Sequence, residues 1–401
     1  MTPSTGTKDQ TVFDELFAPL ENVVNDIAAT CEANLTPKKL KLYPFVRNLI
    51  YHFVMGIGSL GLLVTHLKSS PDTQKLNLLP VGKSTLHEAF LRFPVWVFHQ
   101  IFVTTLGSIP YMAIPEIAAL GTICLIDASL FPAIATMEWA QYSANFSAFK
   151  LHFCFELNRM VPTTFLIERG NASERAAFLK MLQSRVTYVA DRGYVCFSLY
   201  EQIVQRGASF IIRQRNNLQY RVTAVLPINL PLSVSHLFFD VIDCRVRLDN
   251  DSTQRTYRLI GLTIRKHRFL LLTNRMDLTT FDVMVLYAYR WQVELVFRFL
   301  KRTLGGLHLL NLTQRGITIQ FYLLLPAALL QLRFKQRCLI RGEPKATMNV
   351  SGDFHNVAHF FSQLGKQLKR YWKLSIHWLT ALRNLIAQPF HERTIETLNA
   401  T

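Results

Sequence analysis

GTICLIDASLF, residues 121–131, is the stretch whose reading decides the fold. β-Branched and apolar residues fill it, no proline interrupts it, and it carries one charge, Asp127. That pattern predicts a buried strand. A carboxylate inside such a strand is costly unless it is paired, hydrogen-bonded or bound to a cation. Taken alone, Asp127 reads most simply as a structural turn acid. Working downstream, FSAFKLHFCFEL (146–157) and MVPTTFLIE (160–168) read as two further strands, and ASERAAFLKMLQS (172–184) as an amphipathic helix. VTYVADRGY (186–194) returns to strand and ends at a second acid, Asp191, with Arg192-Gly193 as a turn. After a helix at 197–206 comes a run of strands, of which 216–268 forms a β-rich insertion.

Beyond the insertion stands YAYRWQVELVFRFLKRTLG, residues 287–305. Its spacing predicts one helix, free of proline and stopped by Gly305-Gly306. At about 100° per residue, Tyr287, Arg290, Glu294 and Lys301 share an arc of roughly 60°, with Arg298 beside them. Val293, Val296, Phe299 and Leu300 take the far side. One acid on a stripe of cations fits a solvated face with helical ion pairs as well as it fits a site.

Tyr287, Arg290, Glu294 and Lys301 match, in identity and in every gap, the YREK signature of bacterial insertion-sequence transposases of the DDE class, and the chain resembles that family over roughly residues 80–340. The strand–strand–strand–helix–strand order resembles the ribonuclease H-like core of those enzymes, in which the first and fourth strands are neighbours. The expected fold class is therefore α/β, a ribonuclease H-like mixed sheet flanked by helices. It divides into a helical DNA-binding region (1–117), the catalytic core (118–215 and 269–340), the β-rich insertion (216–268) and a basic helical C-terminal region (341–401).

The resemblance implies that Asp127, Asp191 and Glu294 are catalytic and hold two Mg2+ ions, with Mn2+ able to substitute. Three carboxylates suit such hard cations. It implies further that Tyr287, Arg290 and Lys301, with Arg298 and Trp291, contact DNA beside the cut; Trp291 reads equally as a core residue. The partners it implies are double-stranded DNA (terminal inverted repeats and target) and a second subunit in a homodimeric synaptic complex. The expected place is the bacterial cytoplasm, on the nucleoid. Some relatives use an insertion tryptophan to hold a flipped base. All five tryptophans here lie outside 216–268, which argues against that route.

Composition agrees with a polyanionic partner: 44 Lys and Arg stand against 27 acids, a formal charge of +17. Six scattered cysteines with no CxxC pair argue against zinc fingers, and the acidic N-terminus argues against a cleaved signal peptide. Helices are expected at 12–33 and 36–69. A short helix capped by Ser84, carrying Lys83 and Arg92 at its ends, suits a helix-turn-helix-like DNA reader. Gly82-Lys83-Ser84-Thr85 is no P-loop, because Asn77 stands where its first glycine belongs. Two readings compete with an active transposase. One is a DNA-binding derivative that has lost catalysis. The other is a polytopic membrane protein, since Leu49–Leu67 and Pro94–Pro115 lack formal charge.

Overall fold

The computed structural model describes residues 12–36, 38–108, 117, 119–143, 146–159, 161–231, 235, 238–264, 267–290, 293–294, 296–297 and 308–340. Trp291, Arg298, Lys301 and the segment 341–401 lie outside the described residues. Two compact units divide the chain near residues 110 and 298.

The helical unit contains α1 (Val12–Glu32), α2 (Leu42–Val54), α3 (Leu60–Ser69), α4 (Pro71–Lys75), α5 (Lys83–Arg92), α6 (Val95–Ser108) and α10 (Gln314–Ile340). Helix α10 packs on α6 and α2. Phe45 anchors the core, edge-on to Phe90 at 5.2 Å between centroids. Arg47 is buried beneath Phe13 and Phe17, ion-paired with Asp14 and bonded to the Leu76 carbonyl.

The single helix expected over 36–69 is two. Gly56 takes a positive φ of 63°, and Ser59 restarts the chain as an N-cap, accepting from Leu62 N at 3.1 Å. The charge-free run Leu49–Leu67 is thereby cut in half. Among the described residues no single helix is long and apolar enough to cross a membrane; the pair Lys83–Arg92 and Val95–Gly107 reaches the necessary length together but bends by 85°.

The second unit is built on one mixed ten-stranded sheet. Its strands are β1 (Thr122–Pro132), β2 (Gln141–Ser143), β3 (Phe146–Glu156), β4 (Val161–Arg169), β5 (Val186–Ala190), β6 (Ser209–Arg213), β7 (Tyr220–Val225), β8 (Phe239–Leu248), β9 (Thr256–Ile264) and β10 (His267–Thr273). Three helices accompany them: α7 (Glu174–Met181), α8 (Phe197–Gln205) and α9 (Thr280–Ala288). The order is β2-β3-β1-β5-β6-β10-β9-β8-β7, with β4 on the outer side of β3. β1, β5 and β6 run parallel, and every other pairing is antiparallel. The first and fourth long strands, β1 and β5, are neighbours, giving the ribonuclease H-like α/β architecture. The strands of segment 216–268 continue this same sheet through β10.

Alternation along the strands assigns the two faces. One face carries Cys124, Ile126, Tyr188, Ala190, Phe210, Ile212, Leu259 and Leu272, packed with Phe178 and Met181 of α7 and with Leu199, Tyr200 and Ile203 of α8. The opposite face carries Leu125, Val189 and Ile211, over which α9 lies against β5 and β6. A capping box starts α9: the Thr279 hydroxyl accepts from Asp282 N while the Asp282 carboxylate accepts from Thr279 N. A buried ion pair ties this helix to the outer strands. Arg258 on β9 grips Asp243 on β8 through two bonds of 2.8 and 2.6 Å, and Thr280 Oγ1 donates to the same carboxylate at 2.7 Å.

Candidate active site

Asp127 and Asp191 reach one place because the backbone of β1 and β5 brings them there. Leu125 pairs with Val189 in parallel register. Two residues further along each strand stand Asp127 and Asp191, so both acids share the α9 face at the carboxyl ends of adjacent strands. Strand β1 continues through Asp127, opposite Phe153, whereas β5 stops at Ala190. Asp191 Oδ1 then accepts from Gly193 N at 2.8 Å and turns the chain. A Cβ at Gly193 would lie a tight 3.0 Å from that same oxygen and would press on the Asp191 carboxylate.

The third acid arrives differently from the expected way. Helix α9 ends at Ala288. Arg290 N bonds to the Tyr287 carbonyl at 3.0 Å and Val293 N to the Arg290 carbonyl at 3.2 Å, a tightened turn. The wheel drawn through Tyr287–Gly305 therefore loses its phase at Tyr289-Arg290. Arg290 turns inward and is buried. Its guanidinium reaches Glu294 Oε1 at 2.8 Å and Asp127 Oδ2 at 3.5 Å, leaving Nε without a partner. Phe297 packs on Phe153 at 5.5 Å, which fixes the segment beyond the turn over β3.

The electrostatics follow from this crowding. Burial lifts the Asp127 carboxyl to about 7, against the pull of Arg290 and the Ala128 N–H, and the charges of Asp191 and Glu294 add to the rise. Burial disfavours the Arg290 charge, but Asp127, Tyr287 and Glu294 outweigh it and hold its pKa above the usual arginine value. Asp127 thus feels both other acids and the Arg290 cation at once.

Among the described residues no three His, Cys, Asp or Glu side chains gather closely enough to hold a metal ion. The donor type nevertheless suits a hard divalent cation, since Asp127 at one strand end is coupled to two further carboxylates, Asp191 and Glu294. The place between two of them is filled by the Arg290 guanidinium.

Of the other expected site residues, Tyr287 is buried. Its electrostatic neighbour is Arg213 on β6. Neither Tyr287 nor Arg290 lies at the surface in this arrangement. In the helical unit, Lys83 is exposed. Arg92 is already engaged, donating to the Leu40 carbonyl and lying 4.4 Å over the Phe93 ring. Helix α5 starts at Lys83 after Gly82, not at Ser84. Sequence reasoning passed over Glu174, whose carboxylate faces Gly193 and pairs with Lys150 at 3.1 Å. It also passed over Tyr194, buried where Asp127, Asp191 and Glu174 all bear on its hydroxyl. Glu174 was legible only as the first residue of an amphipathic helix.

A family model described as Transposase DDE domain matches residues 119–330. Similar curated proteins include a putative transposase, y4zB, of Sinorhizobium fredii, 25% identical over 256 residues, which are 63% of this chain and 71% of that protein. A probable transposase for insertion sequence element IS5377 of Geobacillus stearothermophilus is 23% identical over 239 residues, 59% of this chain and 60% of its own. The solved synaptic complex of piggyBac transposase with hairpin DNA aligns over 98% of this chain and 84% of that one, at 12% identity and a TM-score of 0.43.

Proposed function

The chain belongs to the DDE transposase family, and from that premise we propose that it is an insertion-sequence transposase of the YREK type. It binds transposon ends, cleaves them by metal-dependent phosphodiester hydrolysis and joins the freed 3′ hydroxyl to target DNA. The observation that carries this reading is the parallel register of β1 and β5, which sets Asp127 and Asp191 on one face at adjacent strand ends. Glu294 is linked to Asp127 through Arg290.

Asp127, Asp191 and Glu294 are the residues that would hold the cations, two Mg2+ or Mn2+. When bound, these would supply an activated water and neutralise charge on the attacking and leaving oxygens. Arg290 has two tasks. It neutralises Asp127 and Glu294, and its planar guanidinium would suit the phosphate beside the cut where those acids held a cation instead. Lys301, Arg298 and Trp291 follow on the same segment and continue the contact with DNA, and Tyr287 backs it from beneath. Lys83 is the exposed cation of a separate DNA-reading helix, α5. Pairing of two ends calls for a homodimer on DNA, in the bacterial cytoplasm.

The test is cleavage of a labelled duplex carrying the terminal repeat that flanks the reading frame. Wild-type protein is expected to nick it with Mg2+ and not with EDTA. Asp127→Ala, Asp191→Ala and Glu294→Ala are expected to bind the duplex and leave it intact. Binding without cleavage by the wild type would instead identify a derivative that has lost catalysis.

A further inference from the structure

The strands that extend the sheet carry arginines in a particular arrangement. Arg245 and Arg247 alternate along β8, and both are exposed while Cys244, Val246 and Leu248 between and beside them are buried. Directly across from Arg247 on the edge strand β7 stands Arg221, its side chain 84% exposed. Arg245 pairs across β9 with Arg258, which lies on the α9 face through Asp243 and Thr280. Register therefore places Arg221, Arg245 and Arg247 on the same face of the sheet as Asp127 and Asp191.

This patch is short of counter-ions. Of the neighbouring acids, Asp243 is held by Arg258, and Asp249 pairs with Arg221 at 3.2 Å. Neither Arg245 nor Arg247 makes an ion pair among the described residues. Like charges directly opposite one another on paired strands oppose folding, and Arg221 opposite Arg247 is such a pair. A cation on an edge strand deters sheet-to-sheet aggregation, but that role calls for charge on β7 and not for two more arginines one strand inward. A polyanion lying across the face resolves the repulsion.

We infer that Arg221, Arg245 and Arg247 form a phosphate-binding track for the DNA duplex whose cut lies at Asp127 and Asp191. This rests on the function proposed above. Five inter-strand steps separate β1 from β8. At about 4.8 Å each they span roughly 24 Å, the rise of about seven base pairs at 3.4 Å. The track thus grips backbone about seven base pairs from the cut. Backbone contact carries no base information, so it orients the duplex without reading its sequence.

The experiment measures binding of the terminal-repeat duplex at several salt concentrations for wild type, Arg245→Gln/Arg247→Gln and Arg245→Lys/Arg247→Lys. Both positions are exposed, and melting temperatures close to wild type establish that the variants fold. The glutamine pair is expected to bind roughly tenfold or more weakly near 0.15 M salt. Its slope of log K against log salt should be shallower by about 2, and the lysine pair should keep most of the slope. Neutral methylphosphonate linkages about five to nine base pairs from the cut should weaken wild-type binding and leave the glutamine pair unaffected. An unchanged slope in a glutamine pair that folds would overturn the track, as would altered self-association with DNA affinity intact. Failure of wild-type protein to bind or cut the duplex at all would instead strike the proposed function.

Discussion

Two arginine–carboxylate groupings lie on the same face of this sheet, and they are built to different standards. At the outer strands, Arg258 meets Asp243 through two short bonds, Thr280 donates a third to the same carboxylate, and that carboxylate is fully shielded from water. At the inner strands, Arg290 is shared between two carboxylates at 2.8 and 3.5 Å, its Nε is unpartnered, and both acids keep partial access to solvent. A buried charge that is completely satisfied holds structure in place; one left incomplete has capacity for another partner. The first grouping fastens α9 to β8 and β9. The second stands just beyond the end of that helix, where Arg290 meets Asp127 and Glu294.

The largest effect expected from breaking this contrast is on chemistry. Asp127→Asn removes one negative charge from the inner grouping and should reduce metal-dependent nicking to background, read in single-turnover assays, while gel shifts still report end binding.

Stability supplies the next contrast. Arg258→Met leaves Asp243 buried without its cation and should cost about 3–5 kcal/mol in denaturant unfolding. Arg290→Gln should cost no more than about 1–2 kcal/mol, because Asp127 takes up a proton and Glu294 remains in water. Equal losses at the two sites would remove the distinction.

Acidification acts instead through two buried histidines outside both groupings. Burial lowers both His52 and His152 to about 4. In the unfolded chain a histidine takes its proton near 6.5. Their contribution is therefore complete above about pH 6.5 and is lost as pH falls toward 4. Unfolding midpoints between pH 7.5 and 4.5 should drop across that window, and less steeply in His152→Gln.

The smallest effect concerns the element joining the two groupings. Thr279→Ala removes half of the capping box on α9 and should cost about 1 kcal/mol, measured by thermal melting.

Much of this was legible in the sequence, for physical reasons. Asp127 and Asp191 stood out because a carboxylate in an apolar strand needs a reason, and the strand order around them was clear from alternation and turns. The break after Ala288 was not legible. No glycine or proline marks it, and what draws Arg290 inward is Asp127, 163 residues away in sequence. Likewise, CRVRL announces alternating arginines at 244–248, but the face they occupy depends on the register of β8 against β9 and β7. The division of Leu49–Leu67 falls at Gly56, and of the three glycines in that run only this one takes a positive φ.

The measurement that bears most directly on the central claim is a crystal structure of the protein with Mn2+ and a terminal-repeat duplex, using anomalous scattering to place the metal. The account predicts an anomalous peak in coordination contact with Asp127 and Asp191, Glu294 turned toward it, and Arg290 moved from the acids to a phosphate. A peak elsewhere, with Arg290 still bridging Asp127 and Glu294, would contradict it.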